Sequence, residues 1–436
     1  MIKLERITLR EIRLNLREPF RISSGIVSER RILLLELHDA SGAVEWAECV
    51  AGELPNYSYE TIDTAWLAIR EWLAPRLLGA RIESHEHVHD LLAPGIAGHN
   101  MARAALEMGC WGLAARMQGI SIAQLLGGER DRVATGISIG IQANPEALAE
   151  RATRAVSDGY RKIKVKIQPG ADVEYVSAVR HALPPGTDLM ADANSAYTLA
   201  DAEHLSALDE FGLIMIEQPL GRDDLVRHAE LQRRIQTPIC LDESITDVTR
   251  CEDMIALRSG RIVNIKPGRV GGFAMARQIH DLCAKVQIPV WCGGMLESGI
   301  GRAYNVALAS LPNFTLPGDL SPSARYWHQD VVSPEWTMDA EGMVTVPRER
   351  PGLGVDVDRG RVESVTVRRG ELLPAVRACA PLPIARRPCW SECRCPCGRD
   401  WPSCAAPSIR SRSWRSRRRA RRRSSRRACA SWASPT

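Results

Sequence analysis

Lys166, Asp192, Glu217, Asp242 and Lys266 are separated by 26, 25, 25 and 24 positions. Each closes or follows a short apolar run: KIKVKI, LMADAN, LIMIEQP, ICLDES and IVNIKP. About 25 residues accommodate one strand, one helix and two short loops. The spacing therefore predicts successive βα units, each delivering one charged side chain at the same end of its strand. In a parallel barrel that end carries the chemistry. Three carboxylates suit a hard divalent cation with oxygen ligands, and two flanking lysines suit proton transfer.

The wider pattern agrees. Strands are predicted at 136–141, 162–167, 188–193, 213–217, 238–242, 262–266, 289–292 and 315–320, with seven helical stretches between them. Strict alternation of β and α argues for a parallel sheet. Eight strands at near-constant spacing argue for a closed barrel over residues 129–320. Residues 1–128 read as a separate α+β unit. Its strands lie in RITLREIRLNL and RILLLELHDASGAVEWAEC, and its helices over 60–77 and 101–117. Residues 321–375 are mixed, with a last strand expected at 363–367, returning to the first unit.

Charge is unevenly spread. The chain carries a formal +5, but residues 376–436 hold 16 Arg, no Lys and 2 acids, so the remaining body is acidic. Such a body gives no reason to expect a nucleic acid or an anionic membrane as partner. The opening MIKLERITLREIRL is charged throughout, unlike a signal peptide. No run approaches a membrane span. Six body cysteines, Cys49, Cys110, Cys240, Cys251, Cys283 and Cys292, lack CxxC spacing and read as reduced thiols of a cytoplasmic protein.

The stretch 376–436 has no hydrophobic period and is expected to be disordered. It admits three readings: a basic nucleic-acid arm, a zinc cluster on Cys393, Cys395, Cys397 and Cys404, or out-of-frame translation of GC-rich DNA. The Cys-x-Cys spacing is wrong for the usual zinc knuckles, and the absence of Lys favours the last.

Within the site, alternation places Lys162, Lys164 and Lys166 on one face of their strand. Inward lysines are costly unless they meet anions or do chemistry; a solvated edge strand is the alternative. Lys166 lies nearest the carboxyl end. Asp192, Glu217 and Asp242, taken singly, could each cap a helix, and Asp242-Glu243-Ser244 is a fair case of that. Three in succession favour a metal, with Asn194 and Gln218 supporting it. Lys166 and Lys266, from the second and sixth strands, would stand on opposite walls. The glycines of WCGGMLESGIGR offer backbone N–H groups to an anion, or form a plain tight turn. Ser138 reaches the same cavity or serves as a core hydroxyl.

The motifs KVKIQPG, MADANSAYTL, IEQPL, CLDESI, NIKPGRVGG and WCGGMLESGIGRAYNVALASLPNFTLPGDLSPSARYW resemble the enolase superfamily. They fall in its muconate-lactonizing-enzyme-like group, among o-succinylbenzoate synthases that overlap with N-acylamino acid racemases. The likeness spans roughly residues 1–370 and leaves out the Arg-rich stretch. It implies an α/β fold, a (β/α)7β TIM-like barrel with an N-terminal α+β capping domain. It implies Mg2+, or Mn2+ or another divalent metal, on Asp192, Glu217 and Asp242. Lys166 and Lys266 would be catalytic, with Lys164, Asn194 and Glu243 supporting. Ser138, Gly294, Met295, Leu296, Phe20 and Tyr326 would bind substrate. Capping loops around 20–27 and 50–59 would close the site. Ala47 departs from the family's frequent glycine, with little consequence.

The activity so implied is dehydration of succinyl-hydroxycyclohexadiene carboxylate through a metal-stabilised enediolate, in menaquinone biosynthesis. N-acylamino acid racemisation by the same lysines is the alternative, with dipeptide epimerase and muconate cycloisomerase more distant. The expected partner is a small-molecule carboxylate, with neither nucleic acid nor membrane, in a homo-oligomer. A rival of another class is an Arg-tailed nucleic-acid binder on an inert barrel.

Overall fold

The structure, a computed structural model, describes residues 1–22 and 25–374. The Arg-rich stretch and its cysteines lie outside the described residues. The chain opens with a long antiparallel hairpin, β1 (Leu4–Ile22) and β2 (Gly25–Asp39), followed by β3 (Val44–Cys49). Their apolar residues are buried under two helices. The first, α1 (Ile62–Ala68), starts at a capping box between Thr61 and Thr64. It runs on through a π turn to Leu77. The second, α2 (Asn100–Gln118), is buried over most of its length and ends on Gly119 at φ 71°. Glu60 accepts from the free amides of Met101 and Ala102 at its start.

Seven parallel strands follow: β4 (Gly136–Ile139), β5 (Lys162–Lys166), β6 (Asp188–Asp192), β7 (Met215–Glu217), β8 (Ile239–Leu241), β9 (Ile262–Ile265) and β10 (Val290–Cys292). They pair in chain order in one sheet. A helix follows each: α3 (Pro145–Ser157), α4 (Val173–Ala182), α5 (Ala202–Ser206), α6 (Leu225–Arg234), α7 (Val248–Leu257), α8 (Phe273–Lys285) and α9 (Gly299–Ala309). The strands are short because both faces are covered and each needs only to cross the core.

The eighth predicted strand, 315–320, is not a ladder strand. It is an irregular stave bonded to both ends of the sheet. The Gly136 amide donates to the Gly318 carbonyl at 2.6 Å, and the Asp319 amide to that of Cys292 at 2.8 Å. Pro317 carries no N–H, so a continuous ladder is denied there. The predicted strand 363–367 is also displaced. Residues Arg359–Val365 form a helix, α10, and the strand that returns to β1 is β11 (Thr366–Leu372).

Three contacts, two of them helix caps, tie the first sheet and its helices to the barrel. Glu107 of α2 accepts from the first amides of α8, at Phe273 and Ala274. Glu48 of β3 accepts from Ser298 and from the Gly301 amide at the start of α9. The Ile141 amide, past the end of β4, donates to the Arg21 carbonyl on the hairpin at 2.9 Å.

Candidate active site

Register assembles the site. Lys166, Asp192 and Glu217 are direct partners across β5, β6 and β7, and Asp242 and Lys266 follow the last residues of β8 and β9. All five are buried. Lys166 Nζ donates to Asp192 Oδ2 at 2.5 Å and to Asn194 Oδ1 at 2.7 Å. On the opposite wall Lys266 Nζ donates to Asp242 Oδ2 at 2.7 Å. Lys164 lies beneath, 3.2 Å from Glu217, 3.4 Å from Asp192 and 2.5 Å from Asp319. Asn194 also donates to Glu243 at 3.2 Å, and Gln218 holds the Asp242 and Ser244 amides with its carbonyl oxygen. Asn194, Ser195 and Gln218 have positive φ, so both loops turn sharply as they leave their strands.

Burial alone would raise every acid here. At Asp192 the nearby Lys166 and Lys164 outweigh it and hold the carboxyl well below its usual range. Glu217 goes the other way, up to about 7, through burial and the Asp192 charge beside it. Burial works against the charge of Lys266, yet Tyr57, Glu217, Glu243 and Asp192 raise its pKa. Lys164 is raised likewise, by Asp319 above all.

Several participants were not expected from sequence. Asp319, on the irregular stave, pairs with Lys164 and accepts from Ser138 Oγ at 3.0 Å. Asn264 donates to Glu217 at 2.6 Å; it sits two residues before Lys266 on the same strand face, a signal that alternation carries. Tyr57 donates to Asp242 Oδ1 at 2.9 Å, and Arg269 pairs with the same oxygen. Tyr57 lies in the capping loop expected around 50–59 and Arg269 in the motif NIKPGRVGG, though neither side chain was given a role there. Gly293 has a packing reason: a Cβ there would fall 2.5 Å from Lys266 Cε.

Ser138 is present but committed to Asp319. Gly294 lies against Asp319, where a Cβ would fall 2.9 Å from its carbonyl oxygen. The Met295 amide donates to Glu297 at 2.8 Å, and Leu296 has φ 57°. Phe20 is half-buried on the hairpin opposite Val27. Tyr326 is buried beside Trp327, on the backbone that receives the Arg17 amide.

The three acids expected to hold a metal are paired with cations in this structure. Among the described residues no three His, Cys, Asp or Glu side chains converge as a metal site. Lysine and arginine cations take the oxygens of Asp192, Glu217 and Asp242 instead. The donor set fits a hard divalent ion: three carboxylates at the ends of consecutive strands, with Asp192 and Glu217 direct register partners. Two buried acceptors of the same network, Glu243 Oε2 and Asn264 Oδ1, have no partner.

Comparison with known proteins places these residues in context. Residues 5–127 match the N-terminal domain model of the mandelate racemase / muconate lactonizing enzyme family, and 147–361 match the enolase C-terminal domain-like model. An o-succinylbenzoate synthase of Geobacillus kaustophilus is 48% identical over 84% of this chain and 96% of its own length. An N-succinylamino acid racemase of Amycolatopsis is 49% identical over 81% and 95%. A solved enolase-superfamily structure from Listeria innocua superposes with TM-score 0.82 at 39% identity, over 86% of this chain and all of that one.

Proposed function

The chain belongs to the enolase superfamily, and from that premise we propose that it is a Mg2+-dependent o-succinylbenzoate synthase. The observation that carries the reading is the pair Lys166 and Lys266, held on opposite walls by Asp192 and Asp242 with Glu217 between them. Asp192, Glu217 and Asp242 would hold the metal. When bound, it supplies Lewis acidity to a substrate carboxylate.

The remaining chemistry rests on the chain's own groups. Lys166 takes the proton alpha to the carboxylate and then gives it to the departing ring hydroxyl, which leaves as water as the ring becomes aromatic. Lys266, kept charged by the acids around it, stabilises the negative charge that develops.

The same lysines on two faces support a second reading, racemisation of an N-succinylamino acid. Epimerisation of a dipeptide is less well supported. An acid free to hold its ammonium group is needed, and Asp319 is already taken by Lys164 and Ser138. Paired kcat/KM values with Mg2+ separate the first two: dehydration faster by orders of magnitude supports the synthase, and the reverse the racemase. Lys166→Ala and Lys266→Ala should each lower kcat by roughly 100-fold to 10,000-fold, with Mg2+ still bound. Near-normal turnover in either variant refutes the assignment.

A further inference from the structure

Behind the wall that carries Ser138 lies a second cavity of about 550 Å3. Alternation along β4 sends Ser138 inward and Ile137 and Ile139 outward, and the two isoleucines floor this cavity with Ala155 and Tyr160. Its roof is the arm of the β1–β2 hairpin, at Arg17 and Glu18, and its far side is the segment around Arg325 and Met338. Its size is that of a small-molecule site. The proposed reaction uses none of these residues.

The lining is cationic. Arg17, Arg151, Arg154, Arg325 and His328 face only two acids, Glu18 and Asp158. Arg154 is paired with Glu150 on its own helix, and Arg151 and Arg325 are answered by Glu18. The Glu18 carboxylate accepts from Arg151 at 2.7 Å and lies 3.9 Å from Arg325. Arg325 is 18% exposed at its side chain, and its Nε is buried without a partner. One carboxylate, borne on the hairpin, thus serves guanidiniums from α3 and from the segment after the barrel, and leaves donors over.

We propose that this cavity binds a small organic carboxylate with an apolar body, and that Glu18 is the internal group occupying its anion position. The guanidinium forks match a carboxylate. The isoleucine floor suits a ring or aliphatic body, and inorganic phosphate has nothing to gain from it. The ligand's carboxylate and Glu18 compete for Arg151 and Arg325. Occupancy is therefore linked to the hairpin arm, which Arg17 fastens to the Tyr326 and Ala324 carbonyls. Its far end meets β4 where a Cβ at Gly140 would fall 2.7 Å from the Arg21 carbonyl oxygen.

The test is calorimetric titration of the full chain with phthalate, an aromatic dicarboxylate. Wild type should bind it. Glu18→Gln, which removes the competitor, should bind at least ~3-fold tighter. Arg151→Ala combined with Arg325→Ala should bind ~10-fold or more weaker. Arg154→Glu, on the exposed face of α3, repeats that test should the double variant not fold. Lys266→Ala, altered only in the active site, should bind as wild type does. No binding at millimolar phthalate overturns the proposal. So does affinity indifferent to the arginines, affinity lost in Lys266→Ala alone, or phosphate binding as tightly.

Discussion

Lys162, Lys164 and Lys166 are buried on one strand face, and each has found a different answer to that cost. Lys166 meets Asp192 and Asn194, and Lys164 sits among three carboxylates. Lys162 is fully enclosed, its ammonium 3.5 Å from the centroid of the Trp291 ring and 3.9 Å from Asp319. Burial lowers its pKa to about 8, with Asp319 opposing that. Asp319 thus answers two lysines at once. Removing one partner of a buried pair leaves an uncompensated charge, so Asp319→Ala should cost about 3–5 kcal/mol in urea unfolding. A change under 1 kcal/mol would contradict that account. The lysines were legible from period-2 alternation alone. Asp319 was not, because it lies at the end of a segment whose backbone alternates poorly, and only the fold shows that it points at Lys164.

At the scale of elements, two glutamates of the capping sheet and its helix replace the missing first partners of barrel helices α8 and α9. Both are fully buried. Burial pushes Glu107 up to about 7 and Glu48 up to about 8, against helix amides that favour the charge. Each folded pKa lies above the ordinary value of 4.5. Between those values the native state holds the proton more tightly than the unfolded chain, so stability falls as pH rises. The contribution is fully present below 4.5 and is lost on passing through about 7 and about 8. Glu48→Gln and Glu107→Gln should each flatten the decline of the urea midpoint across that window; an unchanged slope in both would count against the linkage. The alternation of strands and helices was readable because each barrel strand is a compact apolar run. The stave at 315–320 was misread as a strand, since Pro317 breaks its ladder while its apolar residues imitate one. The returning strand was placed too early because 359–365 reads equally as helix or strand until its partner β1 is known.

At the scale of the molecule, all proposed catalytic and metal residues lie from Lys166 to Lys266, with Tyr57, Lys164, Arg269 and Asp319 among the contributors outside that span. Truncation after residue 375 should therefore leave kcat/KM within about twofold of the full chain's; a collapse of activity would give the Arg-rich stretch a role that its composition does not suggest. No helix among the described residues is long and apolar enough to cross a membrane. The first sheet has the order β11-β1-β2-β3, so the earliest strand of the chain is completed by one of the latest. On a ribosome adding about 5–20 residues per second, the outer edge of β1 waits on the order of 20–70 seconds for β11 to emerge. An unpaired strand edge is a template for other chains. The outer edge of β1 is therefore open to mispairing with other chains through most of the chain's synthesis.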